Sequence, residues 1–329
     1  MHLFDLCLAW NWEHDSDFVR ILDSACAARG LTLLNASAEK LDSVLSRLAG
    51  REAGFRVLLD RASEANSAYL PLVEIARSLG ARRLNPRELA DRAYDKALIH
   101  HAFLDDGVPT PRTFILPAYF SQPELPSLDL HFLGEHFTVK PALGGGGDGV
   151  VMEISTLEQI QSARQQFPEQ QYLLQEHVTP KIVDGLPAWF RVIYCLEEIF
   201  ITFWDTTTHV YTLVDAVEAV LRDSPTLPDH PAEGGDVGPP QLPVGAVLRN
   251  SPNLHDSPII ESLHEVTRRI ACICRLDIFS TEICLTGDDR LLVVDYVNDP
   301  IDLRLQSHAV DGVPDKVVER IAARIVELL

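Results

Sequence analysis

In the N-terminal third of the chain, short apolar runs alternate with amphipathic segments. The runs LFDLCLAW, LTLLN and FRVLLD are apolar and bounded by polar residues, which predicts strands. The segment DSDFVRILDSACAARG predicts a helix, because its apolar residues from Phe18 to Cys26 form one stripe, acidic residues precede them and Gly30 can end it. AEKLDSVLSRLAG and AYLPLVEIARSLG also read as helices. This β-α-β-α-β-α order predicts a small parallel sheet with helices on its faces.

The pattern then changes to strands joined by hairpins. LNPRELADRAYDKALIHHAFLDDG predicts one helix that ends at Gly107, and VPTPRTFILP is extended. From Thr138 onward the strands dominate and one helix, TLEQIQSARQQF, interrupts them. The fold class expected from both halves together is therefore α/β (α+β). The later strands are FTVKPA, GVVMEI, YLLQEHV, WFRVIYCL, IFITFW and VYTLV, and a helix IIESLHEVTRRIACICRL, a hairpin DIFSTEICLTGDDRLLVVDYV and a helix PDKVVERIAARIVELL follow them.

One long segment has little that can pack. Residues 222–258 are rich in Pro, Gly and Asp, which predicts a mobile loop or lid. Such a segment is more often a tolerated insertion than a functional lid.

Composition and charge exclude several classes of function. The chain has 329 residues, 46% of them hydrophobic, which suits two or three packed subdomains. Its formal charge of −20 argues against nucleic acid or anionic lipid as a general partner. No apolar run reaches the about 18 residues of a membrane span, and the N-terminus lacks the basic start of a signal peptide. The six cysteines have no disulfide or zinc spacing, which favours buried thiols in a reducing cytoplasm.

The stretch FTVKPALGGGGDGVVMEIS carries the strongest chemical signal. Gly144, Gly146 and Gly149 fit G-x-G-x-x-G, but β-branched residues follow them, which indicates a strand and not the helix of a dinucleotide-binding turn. Lys140 precedes the glycines, whereas the lysine of a P-loop follows them. We therefore interpret the stretch as a glycine-rich hairpin whose backbone N–H groups approach a phosphate, with Lys140 as a point charge. The alternative is a flexible surface hairpin with a solvent-directed lysine.

Five motifs follow one another along the chain. The first is a segment in which an Asp-Lys precedes GVPTPRT, and the others are VKPALGGGGDGV, YLLQEHV, WFRVIYC and STEICLTGDDRLLVVDYVND. In this order they resemble the ATP-grasp superfamily, in the style of the ribosomal-protein-S6 glutamate ligase and glutathione synthetase group. The resemblance identifies them as an Asp-Lys that opens a helix with a G-x-P-x-P-x-T, the phosphate loop, the interdomain hinge, the strand with a phosphate-contacting arginine and the terminal metal-binding hairpin. The resemblance implies an N-terminal α/β domain (1–112), a central lid domain (113–175) and a C-terminal antiparallel domain (176–329).

The resemblance also implies the nucleotide-binding residues. Lys96 and Lys140 match the two nucleotide lysines, although an ordinary surface lysine is an alternative, above all for Lys96 on its helix. Arg191 matches a phosphate or substrate arginine, and its alternative role is an ion pair at a strand edge. Arg304 follows the metal hairpin and is expected to pair a substrate carboxylate or to face solvent. The remaining nucleotide residues are those of the loop and the hinge: Gly144, Gly145, Gly146, Gly147, Gly149, Gln175, Glu176, His177 and Val178.

Glu282, Asp295 and Asn298 match the carboxylate, carboxylate and amide that hold magnesium in the family, with Mn²⁺ as another possible ion. A hairpin centred between Asp288 and Asp289 would put Glu282 directly across from Asp295. Asn298 is three residues beyond Asp295 and would face away on a regular strand. We therefore predict a β-bulge or a strand end at 296–297 that turns Asn298 back toward the metal.

The reaction that the resemblance implies is ATP-dependent carboxylate–amine ligation, with magnesium and ATP as cofactors and a small-molecule or peptide acid and amine as substrates. The segment IFITFWDTTTHVYT departs from the family's second arginine and Ser-Asn, which indicates a different acceptor pocket. Two other functions stay open: a kinase of the same fold that phosphorylates a hydroxyl, and a non-catalytic ATP-binding regulator. The sequence does not indicate an oligomeric state.

Overall fold

A computed structural model of the protein describes residues 1–183, 185–214 and 258–329. The predicted Pro- and Gly-rich insertion lies outside these residues except for its last position, Pro258.

The N-terminal part is a parallel sheet, as the alternating pattern predicts, and its four strands lie in the order β2-β1-β3-β4. The middle of β1 is fully buried, and Leu6 pairs with Val57 of β3. The short β4 continues the sheet beyond the last strand that the pattern predicts. The strands are β1 His2–Trp10, β2 Leu33–Ala36, β3 Ala53–Arg61 and β4 Arg82–Leu84, and the helices are α1 Ser16–Ala28, α2 Leu41–Ala49 and α3 Leu70–Leu79.

The single helix predicted from Leu84 to Gly107 is wrong: the structure has two helices, α4 Arg87–Tyr94 and α5 Lys96–Asp105. Asp95 between them is extended, with φ −74° and ψ 99°, and its carboxylate accepts from the backbone N–H groups of Ala97 and Leu98, both at 3.0 Å. An aspartate in this role is a strong N-cap. The break makes Lys96 the first residue of a new helix.

The central sheet is antiparallel, in the order β5-β8-β6-β7, and has its own apolar core. β6 and β7 flank the glycine-rich stretch, so that stretch is a hairpin connection as the sequence predicts. The helix of this region begins with a capping box between Thr156 and Gln159. These elements are β5 Thr113–Leu116, β6 Phe137–Pro141, β7 Val151–Ile154, α6 Leu157–Arg164 and β8 Tyr172–Glu176.

The C-terminal part is a five-stranded antiparallel sheet in the order β13-β12-β11-β14-β15. A two-stranded hairpin, β9–β10, leads into it. Two long helices accompany the sheet. The elements are β9 Ile182–Val183, β10 Leu186–Pro187, β11 Trp189–Cys195, β12 Glu198–Trp204, β13 Tyr211–Leu213, α7 Pro258–Cys274, β14 Ile278–Leu285, β15 Leu291–Asn298 and α8 Asp315–Leu328.

One apolar core joins the first and last parts of the chain, because α1 packs against α8 and both contribute to the same buried cluster. At the end of β3, Arg61 forms a buried ion pair with Asp15 at 2.6 Å and donates to the carbonyl of Ile301 at 2.9 Å. The carboxyl edge of the parallel sheet is thereby fixed to the loop that follows β15.

The sequence predicted buried cysteine thiols and no membrane-spanning segment. All six cysteines are free thiols and five of them are buried, with Cys272 exposed. Among the helices of the described residues, none is both long and apolar enough to cross a bilayer.

Candidate active site

Three candidate residues form a row across the C-terminal sheet. Arg191 of β11 pairs with Glu282 of β14, and Glu282 pairs with Asp295 of β15. Thr202 of β12 extends the row on the other side of Arg191. Residues that pair directly across antiparallel strands have their side chains on the same face. The sheet therefore presents a cation and two carboxylates side by side.

The predicted pairing of Glu282 with Asp295 is confirmed, although the turn is centred differently from the prediction. Next to the turn, Leu285 pairs with Leu291, which centres the ladder on Asp288 and not between Asp288 and Asp289. A register shift between Ile283 and Glu282 adds one residue to β15 and restores the predicted pair.

A second register shift in the same strand concerns Asn298. Ser280 pairs with Asn298, so three steps on β15 match two steps on β14 between this pair and the Glu282–Asp295 pair. This irregularity is the one predicted at 296–297, and it turns Asn298 toward Asp295. The amide of Asn298 donates to Asp295 Oδ2 at 3.0 Å, which leaves the Asn298 carbonyl oxygen for another partner.

Arg191 forms an ion pair with Glu282, but not all of its N–H groups have a hydrogen-bond partner. Its Nη1 donates to Glu282 Oε1 at 2.6 Å, and its Nη2 reaches Ser280 Oγ at 3.3 Å. Its Nε is buried and has no hydrogen-bond partner among the described residues. Burial alone would lower the pKa of Arg191, but Glu282 and neighbouring acids raise it above its ordinary value. The arginine is thus a permanent cation with a free N–H group.

The two carboxylates have different electrostatic surroundings. Burial raises the pKa of Glu282 although Arg191 opposes this shift. Burial would also raise the pKa of Asp295, but Lys96, Lys140 and Arg191 outweigh it and lower that pKa. The pair therefore lies among three cations and is not left to self-repulsion.

The donor atoms fit a hard cation such as Mg²⁺, which prefers oxygen ligands and keeps several from water or phosphate. Two carboxylates face each other across the strand pair, and the Asn298 amide offers its carbonyl oxygen beside them. The described residues contain no group of three His, Cys, Asp or Glu side chains suited to a metal ion, and the set here is two carboxylates and one amide oxygen. Such a set leaves coordination positions of Mg²⁺ for water or phosphate oxygens.

Both candidate lysines point into this site, and neither is a surface lysine. Lys140 is 6% exposed and donates to the carbonyl of Val294 at 2.6 Å. Burial lowers the pKa of Lys140 to about 8, although Asp295 acts in the opposite direction. Lys96 is 7% exposed, and its Nζ lies 3.8 Å from Asp295 Oδ1 and donates to the carbonyl of Gly144. The surface alternatives for both lysines are wrong.

The glycine loop is tied to this cationic site at its first residue, through the bond from Lys96 to Gly144. Gly144, Gly146, Gly147 and Gly149 have positive φ, whereas Gly145 does not. At Gly149 a side chain is excluded twice, because φ is +71° and a Cβ would lie 2.6 Å from the ring of Phe167. The loop is therefore a defined hairpin turn whose conformation depends on glycine.

The side chains of the predicted hinge make contacts within the protein. Gln175 donates to Thr113 Oγ1 at 2.9 Å and to the Tyr296 hydroxyl at 3.0 Å. Glu176 is buried and forms ion pairs with Arg112 and Arg290.

The other two hinge residues are half-buried. The Nε2 atom of His177 lies 3.9 Å from Glu153, and its Nδ1 atom is buried without a partner among the described residues. Val178 follows at the end of the hinge. Their part in binding a nucleotide stays a prediction.

Arg304 is already paired with two acids. It contacts Asp302 at 2.7 Å and Asp311 at 2.9 Å, and its guanidinium lies 5.8 Å from the ring centre of Trp12. These hydrogen bonds raise its pKa above the ordinary range. A substrate carboxylate would have to compete with Asp302 and Asp311 for the guanidinium of Arg304. These contacts therefore do not support the predicted role of Arg304 in binding substrate.

Two tryptophans beside the charged row were not predicted as site residues. Trp189 donates from Nε1 to Glu282 Oε2 at 3.1 Å, and Trp204 lies against the guanidinium of Arg191, 4.9 Å from carbon Cζ to the ring centre. Strand alternation could have indicated Trp189, since it lies two residues before Arg191. Trp204 belongs to the segment that the sequence already indicated as different from the family, but its contact with Arg191 depends on the register between β11 and β12.

Solved structures with a similar architecture cover nearly the whole chain. The RimK domain ATP-grasp protein from Sphaerobacter thermophilus DSM 20745 aligns with a TM-score of 0.58 and 16% identity over 99% of this chain and 99% of that chain. The macrocyclase MdnC from Microcystis aeruginosa MRC, solved with its precursor peptide MdnA, gives 0.59 and 13% over 100% and 99%. The D-alanine–D-alanine ligase from Bacillus anthracis, solved with ATP, gives 0.56 and 11% over 100% and 99%.

No protein-family model and no curated protein matches the sequence. The structural likeness nevertheless includes all three parts of the fold, since each of these alignments spans 99% or more of the chain. It confirms the predicted fold class. The chain has the ATP-grasp fold.

Proposed function

We propose that the protein is an ATP-dependent carboxylate–amine ligase that acts through an acyl phosphate. The observation that carries the proposal is the convergence of Lys96, Lys140 and Arg191 on the opposed carboxylates Glu282 and Asp295, next to the glycine loop. Three cationic side chains around two carboxylates are more than an ion pair needs. The arrangement fits a site that binds a polyphosphate together with a metal ion. The solved ATP-grasp ligases and their nucleotide complexes support the same reaction class.

In the proposed reaction, a carboxylate oxygen of the acid substrate attacks the γ-phosphorus of ATP. The bond from this phosphorus to the β–γ bridging oxygen breaks, and ADP leaves. The amine nitrogen then attacks the acyl carbon, phosphate leaves and the nitrogen loses a proton. Arg191 and Lys140 offset the negative charge that moves between the phosphoryl oxygens, and Lys96 does so at the helix start.

Glu282, Asp295 and Asn298 are the residues that would hold Mg²⁺ or Mn²⁺ against the phosphates. When bound, the ion neutralises phosphate charge as a Lewis acid. The glycine loop supplies backbone N–H groups and covers the nucleotide, which protects an acyl phosphate from water.

Domain boundaries at 112 and 175 also belong to this proposal, because each of the three larger sheets then lies in one domain except for Glu176, the last residue of β8.

The acid and amine are to be found by experiment. ADP release is measured in Mg-ATP with panels of small carboxylates and peptides, each with and without amines, and the products are identified by mass spectrometry. A ligase gives amide products and stoichiometric ADP and phosphate. Phosphorylated hydroxyl products without free phosphate would instead indicate the kinase. Nucleotide binding without turnover on any panel would favour a regulator and contradict the proposal.

A further inference from the structure

Arg191 has less support from hydrogen bonds than its role requires. Its one short bond goes to Glu282 Oε1, its contact with Ser280 is long at 3.3 Å, and its Nε has no partner among the described residues. An ion pair at one end does not fix the plane of a guanidinium. Without further support the group could rotate about its bond to Glu282, or move toward Asp295 and occupy the place of the metal ion.

Trp204 supplies the missing support. Arg191 pairs with Thr202, so Trp204 is its diagonal neighbour on the same face of the sheet. Diagonal neighbours are within reach of aromatic and long side chains. The guanidinium carbon lies 4.9 Å from the ring centre of Trp204, which is within the range of a cation–π contact.

Trp204 is itself fixed from two sides. Trp204 is 9% exposed. Its ring stacks on that of the exposed His209, with centroids 5.4 Å apart and planes at 12°, and meets the ring of the buried Tyr211 at a centroid distance of 4.6 Å and an angle of 62°. A tight turn before β13 places His209 against the ring of Trp204. In the turn, the side chain of Asp205 accepts a hydrogen bond from the backbone N–H of Thr207, and the backbone carbonyl of Asp205 accepts one from the N–H of His209 at 2.7 Å. This is the segment that departs from the family's usual second arginine and Ser-Asn. A stack of aromatic rings lies there instead.

We propose that Trp204 is a positioning residue that holds the guanidinium of Arg191 in a fixed plane. In this plane one edge binds Glu282 and Ser280, and the remaining N–H groups stay available for the anionic oxygens of the group being transferred. The inference rests on the proposed function, because it assigns an aromatic partner to the arginine of that reaction.

The test uses the full-length protein and two nucleotides, Mg-ADP and Mg-AMPPNP, whose affinities are measured by titration calorimetry. If Arg191 contacts the terminal phosphate, wild type prefers AMPPNP, and Arg191→Met removes this preference. We expect Trp204→Leu to reduce the preference about tenfold, the size of one well-placed cation–π contact. Trp204→Phe retains an aromatic face and should restore most of it.

Phe203→Leu is the matched control. Phe203 is a buried aromatic residue on the same strand, but it lies on the opposite face and contacts Phe190. It should cost stability and leave the AMPPNP preference unchanged. If Trp204→Leu does not fold, Trp204→Met, which conserves volume better, takes its place.

A double variant decides whether Trp204 acts through Arg191. In the Arg191→Met background, Trp204→Leu should have no further effect on the preference. The inference is overturned if Trp204→Leu keeps the wild-type preference, if Phe203→Leu loses it equally, or if the two effects add. A wild type that binds both nucleotides with no preference also overturns it, whereas a wild type that binds neither nucleotide contradicts the proposed function itself.

Discussion

Lys140 shows at the scale of one residue how location changes the meaning of a side chain. On a surface strand its loss would cost little, but here the ammonium is buried, bonds to Val294 and faces Asp295. No carboxylate forms a direct ion pair with it in the described residues, so its charge is available for a ligand.

The first prediction concerns Lys140→Met, which keeps the volume of the side chain and removes the charge. We expect turnover, with a substrate pair found on the panels, to fall at least about tenfold, or ~1.4 kcal/mol of transition-state stabilisation. Circular dichroism should show an intact fold. Lys316→Met, which removes an exposed lysine from α8, is the control and should keep full turnover. Equal turnover in both variants would contradict the role of Lys140.

His100 supports a prediction about pH. It is 2% exposed, its Nδ1 lies 2.6 Å from the Tyr296 hydroxyl, and burial lowers its pKa to about 4, with smaller effects from His101 and Lys140. The unfolded chain binds a proton at this histidine below its ordinary pKa of about 6.5, and the folded chain resists it until about pH 4. The free energy of unfolding therefore falls as pH decreases through this window, by up to about 3 kcal/mol from this residue.

His100→Gln should remove that part of the pH dependence, because an amide can still bond to Tyr296 without titrating. The measurement is urea unfolding at several pH values between 7 and 4, compared with His101→Gln, whose side chain is exposed. Carboxylates contribute equally to all three proteins. If the curves of wild type and His100→Gln are parallel, the buried histidine does not carry the effect.

At the scale of elements, the glycine hairpin offers two glycines whose substitution by alanine should have different effects. Gly149→Ala should destabilise the protein by about 1–3 kcal/mol, since φ is positive and the new Cβ would meet Phe167. Gly145→Ala should change stability by less than about 0.5 kcal/mol, because nothing lies within 4 Å of its Cβ position. Urea unfolding of the two variants measures the difference. Similar values would mean that the loop is not held in this conformation.

The sequence predicted the elements better than their junctions. Apolar periodicity located the parallel sheet and the later hairpins because it depends on which faces are buried. Periodicity missed the break at Asp95, since the apolar pattern continues through it, and only the family motif in which an Asp-Lys opens a helix indicated the start of α5. The hairpin was predicted with one bulge, and the structure has two register shifts, one at the predicted place and one that offsets a different turn centre.

Site residues that belong to short sequence motifs could be predicted. Features that depend on packing between distant segments could not. Glu282, Asp295 and the glycine loop follow from motifs within short stretches. The burial of Lys96 and Lys140, the two acids around Arg304 and the stack of Trp204 on Arg191 depend on contacts between distant segments. No local pattern encodes these contacts.

At the scale of the whole molecule, the candidate nucleotide residues come from three separate parts of the chain. Lys96 begins α5, Lys140 and the glycines belong to the central sheet, and Glu282 and Asp295 belong to the C-terminal sheet. A ligand that touches all three parts binds the folded arrangement and not the unfolded chain. Its binding free energy must therefore stabilise the whole assembly.

Mg-ADP and Mg-ATP should accordingly raise the melting temperature. At a hundredfold excess over Kd, binding to the native state adds about 2.7 kcal/mol to the free energy of unfolding. Part of this gain should need the metal, because Asp295, which lies beside Lys96, is one of the residues that would hold the ion. We expect the shift to shrink when the nucleotide is added with EDTA, and to shrink similarly in Asp295→Asn, in which EDTA should then have little further effect. For each nucleotide, differential scanning calorimetry compares wild type and Asp295→Asn, each with and without EDTA, on the same protein preparations. A melting temperature that neither nucleotide moves would contradict nucleotide binding, and an equal shift with and without EDTA in wild type would contradict the metal site alone.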